Sequence, residues 1–272
     1  FDEAAAMADG RPWSFLHVSR PEIDLPPGTD SHADEVYAKG ASNLAAMIEA
    51  GVLIRDEAPS YYVYRIIMGD HSQTGLVAAT PVDAYLKNIV RKHEFTRPDK
   101  EDDRVRQIDE VDAQTGPVLV VHQPQPAISA ILKEVTAKDP TYDVTQPDGV
   151  RHIVWAVTVP ADVQRVADAY APVDVLYIAD GHHRSAAAAR VAALREGRDG
   201  VTDAHERFLI VAFPTDELHI LDYNRVIKDL NGLSEEAFLA RVNEAFDVTP
   251  ASAPARPARQ HEFGMYIGGA WY

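Results

Sequence analysis

Cysteine is absent from all 272 residues. Disulfides, thiolate nucleophiles, zinc–thiolate sites and iron–sulfur clusters are therefore excluded. With no cysteine and no signal peptide, a cytoplasmic location is expected. Long apolar runs are missing too. No stretch approaches the roughly 20 apolar residues that a membrane span needs. Basic residues are scarce: 26 Lys and Arg against 42 Asp and Glu, a net charge of −16. That argues against a broad nucleic-acid surface, which needs a basic stripe. A phosphate ligand is not excluded, because a pocket can be locally positive on an acidic protein. The loops GxxxxGK[ST] and GxGxxG are absent, which removes the two commonest nucleotide-binding loops and leaves other scaffolds open. No internal repeat or long heptad pattern is present.

The most informative segment that is present is Asp180-Gly181-His182-His183-Arg184-Ser185. Before it, Val173 to Ile178 is a short β-branched run that reads as a buried strand. After it, the alanine-rich stretch from Ser185 to Glu196 reads as a helix ending at Gly197. Strand, tight turn and helix is an order that presents backbone N–H groups to an anion. Arg184 at such a helix start suits two-pronged phosphate binding. The structural alternative is an ion pair with a nearby carboxylate. His182 and His183 are adjacent, so on a helix they point about 100° apart. They do not match the i, i+4 spacing of helical zinc pairs, so no metal is assigned to them. One is expected to donate to a phosphate and the other to pack or orient it. Asp180 has three readings: helix cap, partner of a histidine, or holder of a phosphate-bridging Mg²⁺. Gly181 supplies backbone freedom and close ligand approach.

Around this unit the pattern is mixed. Strands are expected at Trp13–Val18, Tyr61–Met68, Gly75–Thr80, Pro117–His122, Arg151–Val159, Glu206–Phe213 and Leu218–Tyr223. Helices are expected at Asp34–Ala50, from Pro81 or Val82 through Ile89, and at Asp99–Gln114, Ala127–Ala137, Ala161–Tyr170 and Ser234–Phe246. Pro250–Gln260 reads as a linker, and Glu262–Tyr272 as a strand or hairpin. Strict βαβ alternation is lacking, so the class is α/β or α+β with a mixed sheet. One large domain over 1–272 is expected, with a subdivision into 1–125 and 126–272 as the alternative. Phe1 in place of Met, and a final segment stopping on two aromatics, give the expectation of a longer native chain. Trp155 and Tyr177 are expected in the core.

Several stretches resemble one family. Ser14-Phe15-Leu16-His17-Val18 with Arg20-Pro21-Glu22 is similar to its SFLHV-x-RPE segment. Arg91-Lys92-His93-Glu94 and Thr96, followed by Lys100 to Arg104, is similar to its HE-x-T…K-x-x-DR segment. Tyr223-Asn224-Arg225-Val226 resembles a late (H/N)RV segment. With DGHHR, these identify the chain as resembling the domain of unknown function 1015 family. That family's PPYDV-like start is missing here.

The DGHHR loop is similar to the DGH-x-R loop of free serine kinases and to phosphate loops of the ParB/sulfiredoxin superfamily. The resemblance implies a ParB/sulfiredoxin-like core. It also implies transfer of phosphate from ATP or another donor, with Mg²⁺, to a small hydroxylated substrate. Asp180 and His182 would then be catalytic, and Gly181, His182, His183 and Arg184 would bind the donor. In the second segment, Glu94 would be the base, with Lys100 and Arg104 as cations near the phosphoryl group. Without the resemblance, the same charges read as a solvated helix face. Asn224 with Arg225, and His17 with Arg20 and Glu22, are weaker groups. A nucleotide-binding switch module and a metal-dependent hydrolase are the competing functions.

Overall fold

The computed structural model describes residues 1–198 and 202–272, in a large unit, Phe1–His219, and a small one, Ile220–Tyr272. The large unit begins with helices α1 (Asp2–Ala8), α2 (Leu16–Ser19) and α3 (Asp34–Glu49). Strands β1 (Tyr61–Met68) and β2 (His71–Pro81) follow. They form a hairpin closed by Gly69-Asp70, with Met68 facing His71 and Gly69 at a φ of 59°. Positive φ of this kind is what a two-residue hairpin turn requires. Next come α4 (Val82–Leu86), β3 (Val90–Arg91), α5 (Pro98–Val111), β4 (Val118–His122) and α6 (Pro126–Val135). Then β5 (Tyr142–Thr145), β6 (Arg151–Val157), α7 (Pro160–Tyr170), β7 (Leu176–Asp180), α8 (His182–Arg195) and β8 (Arg207–Pro214) complete it.

The strands make one mixed sheet in the order β3-β7-β4-β8-β2-β1-β6-β5. Pairs β3–β7 and β4–β8 are parallel and the other neighbours antiparallel. The class is thus mixed α/β. The sheet draws strands from both sides of residue 125.

Two cores lie against the sheet. Helices α6 and α7 bring Ile128, Leu132 and Val166 onto Val63, Leu76, Ile153 and Trp155. Helix α8 brings Ala186 and Ala188 onto Val118, Val120, Ile178 and Ile210, with Val82 and Tyr85 of α4. On its other side α8 packs Ala187 and Val191 against Val105 of α5. Val18, Met47 and Val111 then join α2, α3 and α5.

Several sequence expectations are corrected. Trp13–Val18 is no strand: it turns into α2, and only Val18 is fully buried while Trp13 and Phe15 stay exposed. One buried residue is not the alternation that a half-buried strand needs. Ser14 Oγ also accepts from the Leu16 N–H at 3.4 Å, a local bond that competes with sheet pairing. Leu218–Tyr223 is irregular, with Ile220, Leu221 and Tyr223 exposed. It pairs with no strand among the described residues, and a strand without partners is not stable in water. Tyr177 is exposed rather than core, while Trp155 is buried as expected. Strands β3 and β5 were not read from the sequence. The first has two residues, and every residue of the second is exposed, so neither carries a periodic signal.

In the small unit, Ser234 Oγ accepts from the Ala237 N–H at 3.2 Å and caps α9 (Glu235–Asn243). The strands β9 (Tyr266–Ile267) and β10 (Ala270–Trp271) form the expected terminal hairpin around Gly268-Gly269. Among the described residues, no helix is long and apolar enough to cross a membrane.

Gly75 marks the tightest approach within the sheet. A Cβ there would lie 2.7 Å from the Ala212 carbonyl oxygen and 2.8 Å from the Phe213 ring. We expect Gly75→Ala to destabilise the fold by about 1–3 kcal/mol, the usual range for overpacking. Urea denaturation measures it; an unchanged midpoint would show that the strands can move apart without loss.

Candidate functional site

Strands β3 and β7 pair in parallel, Val90 with Leu176 and Arg91 with Tyr177. Their carboxyl ends therefore leave the sheet side by side. The chain leaving β3 runs through Lys92 to Thr96; the chain leaving β7 runs through Asp180 to Arg184. The carboxyl ends of sheet strands are a favoured place for ligands in open α/β folds. Lys92 Nζ sits over the Tyr85 ring at 4.0 Å, and Arg91 stacks on Tyr177 at 5.5 Å. These contacts hold the exit of β3 against α4 and β7.

Gly181 has a φ of 99°, a conformation that glycine adopts at little cost. It turns the chain so that α8 begins at His182, three residues earlier than the sequence indicated. The two histidines and Arg184 are therefore the first helical turn itself. No side chain caps this end, and no acidic residue lies in the first turn. Its N–H groups carry the positive end of the helix dipole.

His182 is buried, with a side chain only 4% exposed. Its ring meets His93 edge-to-face, with centroids 4.4 Å apart at 83°. Its Nδ1 lies 3.7 Å from the Glu94 carboxylate, and its Nε2 has no hydrogen-bond partner. Burial pulls the imidazole below its ordinary pKa of 6.5, and His93 and His183 push the same way. Glu94 and Asp180 oppose this without reversing it. His182 is therefore neutral at pH 7. His183 is fixed differently: its Nε2 accepts the Arg97 backbone N–H at 3.1 Å. A ring nitrogen that accepts carries no proton, so neutral His183 holds its proton on Nδ1.

Arg184 donates to the Asp180 carboxylate and to the Pro117 carbonyl. Of the two readings of Arg184, the carboxylate pair is the one present in this structure. Asp180 correspondingly pairs with Arg184 and does not cap the helix. The guanidinium folds back over Gly181, where a Cβ would lie 3.0–3.2 Å from Nε, Cζ and Nη2. Gly181 is thus required for φ, and a Cβ there would also push the guanidinium aside by a few tenths of an ångström.

His93, Glu94 and Arg97 come to the DGHHR turn across more than 80 residues of sequence. The rest of that segment is tied to α8 farther along. Thr96 donates to Glu101 at 2.7 Å, and Arg190 donates to Glu101 at 2.9 Å and to Asp102 at 2.7 Å. Lys100 is exposed on α5. Arg104 pairs with Asp103, which also accepts the Tyr37 hydroxyl of α3 at 2.7 Å. Burial and that carboxylate push Tyr37 up to about 12. Arg104 is therefore engaged toward α3, and its place in a shared pocket with Arg184 is not what this geometry gives.

Of the weaker groups, His17 pairs with Asp24 at 2.8 Å, and Arg20 with Glu22 at 2.6 Å. Arg225 stacks on Tyr223 at 3.6 Å within the small unit. Sequence reasoning gave no role to Arg97, whose contact is made by its backbone and leaves no mark on residue type. It also missed fully buried Ser185, which donates to the His182 carbonyl at 3.0 Å and steadies the first turn.

The site offers unfilled N–H donors, a guanidinium at their mouth, a neutral buried imidazole and an accessible carboxylate. That set suits an oxyanion next to a group that loses a proton. Among the described residues, no three His, Cys, Asp or Glu side chains converge as a metal ligand set.

Because the folded pKa of His182 lies below its unfolded value, its stabilising effect is present above about pH 6.5. It is lost as pH falls through the folded pKa. We expect an NMR titration to place His182 below 6.5. The stability of His182→Gln should fall less steeply than that of the parent between about pH 7 and about pH 5. A His182 titrating above 6.5 would contradict the burial effect.

Comparison with curated proteins and with solved structures returned no match. The family model described as "Protein of unknown function (DUF1015)" matches residues 1–272, the whole chain. The protein therefore belongs to the DUF1015 family, as its DGHHR turn and the His93–Glu94 segment beside it had suggested.

Proposed function

We propose that this protein is a small-molecule phosphotransferase that holds the donor phosphates at the start of α8. One observation carries the reading: the uncapped α8 terminus lies beside a buried His182 whose Nε2 is unpartnered and whose Nδ1 edge faces Glu94. A buried polar atom without a partner is uncommon and calls for a role.

The roles follow from placement. The backbone N–H groups of His182, His183 and Arg184 receive phosphate oxygens. Arg184, already over Gly181, exchanges the Asp180 carboxylate for phosphate in a two-pronged contact. Asp180 is then free for Mg²⁺, which prefers one or two carboxylates together with phosphate oxygens. When bound, that ion neutralises charge on the phosphoryl group. Glu94 takes the proton of the acceptor hydroxyl as its oxygen bonds to phosphorus and the bond to the leaving phosphate breaks. Its side chain is 59% exposed, so an acceptor can reach it. His182 positions the carboxylate of Glu94. Lys100 and Arg104 stand farther out along α5 and are given no donor contact.

The similarity of DGHHR to the DGH-x-R loop of free serine kinases supports ATP or another phosphoanhydride as donor. It also supports a free amino acid such as serine as acceptor. A ParB-like nucleotide switch would use the same loop for binding without transfer.

Mass spectrometry of amino acids and alcohols incubated with ATP, ADP or pyrophosphate and Mg²⁺ tests the reading; binding without a phosphorylated product would favour the switch. Arg184→Ala should weaken donor binding by about 10- to 100-fold, the loss of a partly solvated charge-assisted contact of about 1.5–3 kcal/mol. Arg184→Lys should recover only part of this. Glu94→Gln should lower turnover by about 10²- to 10⁴-fold with donor affinity little changed. Unchanged donor affinity in Arg184→Ala would remove the phosphate role.

A further inference from the structure

A second feature of the large unit lies away from the DGHHR turn. Between the two cores is an apolar cleft of about 250 Å³, partly open to solvent, with Pro81 and Ile89 of its lining exposed. Leu76 and Val166 of one core and Val90 and Ile210 of the other line it, with the small residues Ala78 and Ala84. An apolar cavity of roughly 150 Å³ already takes up benzene. No charged side chain lines this one; its polar side chains are those of Tyr61, Thr80 and Tyr170. Burial pushes Tyr170 well above the ordinary phenol value of 10.0, so it remains neutral. His122, fully buried, has Nδ1 2.8 Å from the Gln123 carbonyl, which can only accept. Its proton is therefore on Nδ1, and its Nε2, 3.5 Å from the Tyr170 hydroxyl, is left as an acceptor.

From this wall we infer that the cleft is a binding site for a compact, uncharged, apolar molecule of about the bulk of a bicyclic ring, with at most one or two hydrogen-bonding groups. Carboxylates and phosphates are disfavoured within it, since no charged side chain of the wall would replace the water around their charge. The site is separate from the phosphate site. Its wall includes Ile89, Val90 and Leu176, at the amino-terminal side of β3 and β7, whereas Glu94 and His182 lie beyond the carboxyl ends. The inference thus stands whether or not the protein transfers phosphate.

Titration of the full chain with indole and 2-naphthol, followed by methyl NMR, tests it. Saturable shifts are expected at Leu76, Leu176 and Ile210. 2-Naphthoate at equal concentration should give none, and pyrophosphate should not displace the neutral probes. Ala78→Leu or Ala84→Leu fills the space and should weaken binding at least tenfold while the urea midpoint is held or raised. Should either substitution unfold the protein, the location of the shifts in the unaltered chain decides. Shifts that do not saturate, that fall outside these residues, or that persist unchanged in a folded Ala78→Leu protein would overturn the proposal.

Discussion

Helix α8 is buried from two directions at once. Ala186 and Ala188 meet the sheet, and Ala187 and Val191 meet α5. Small side chains let the helix approach the sheet on one side and α5 on the other at close range. Ala187 and Ala188 are accordingly almost wholly inaccessible. The position of every residue at the candidate site depends on this clamp. It fixes where the first turn of α8 points, and it fixes α5, whose start carries the chain from β3 past that turn. Larger residues along α8 would lift it from one neighbour or the other and part His183 from the Arg97 N–H.

Electrostatics reinforces the same contact more than it powers it. Arg190 reaches Glu101 and Asp102, and Arg195 reaches Asp109 and Asp112, all across the α5–α8 seam. Each pair has at least one exposed partner, although Arg195 and Glu101 are mostly covered, and exposed pairs are worth at most about 1 kcal/mol each. Their value is in register: they set which turn of α5 faces which turn of α8. In a chain of net charge −16, these arginines meet carboxylates. Arg184 does so too, through Asp180. The start of α8 differs, because it offers donors with no side-chain acceptor of its own. Positive potential at the start of α8 on this acidic protein therefore rests on backbone dipoles as much as on side-chain charge.

The candidate site at the DGHHR turn and the apolar cleft stand in different relations to the fold. The DGHHR turn lies where two parallel strands end and their chains diverge, so the candidate site is built from loops and a helix start. The apolar cleft is made where two cores fail to merge. Tyr170 packs on both of them. Strands β3 and β7 run from one to the other, with Val90 in the cleft wall and His93 at the turn.

The sequence by itself determined the parts with strong local signals. The hairpin at Gly69-Asp70, the capped helix after Ser234, the alanine-rich helix and the strand–turn–helix at Asp180-Gly181 are all governed by near neighbours. Their residue types therefore sufficed. The mixed class followed from the order of these elements, and the family from the motifs along the chain. Tertiary structure decided what depends on residues far apart. It made Trp13–Val18 a turn and short helix because only Val18 has a core to enter. It left Leu218–Tyr223 without a ladder. It gave Arg184 a carboxylate partner, sent Arg104 toward α3, and set His93 and Glu94 against His182. Ion pairs between distant elements and the burial of a single ring leave no periodic trace in a sequence, because they are set by the packing of α5 on α8 rather than by neighbouring residues.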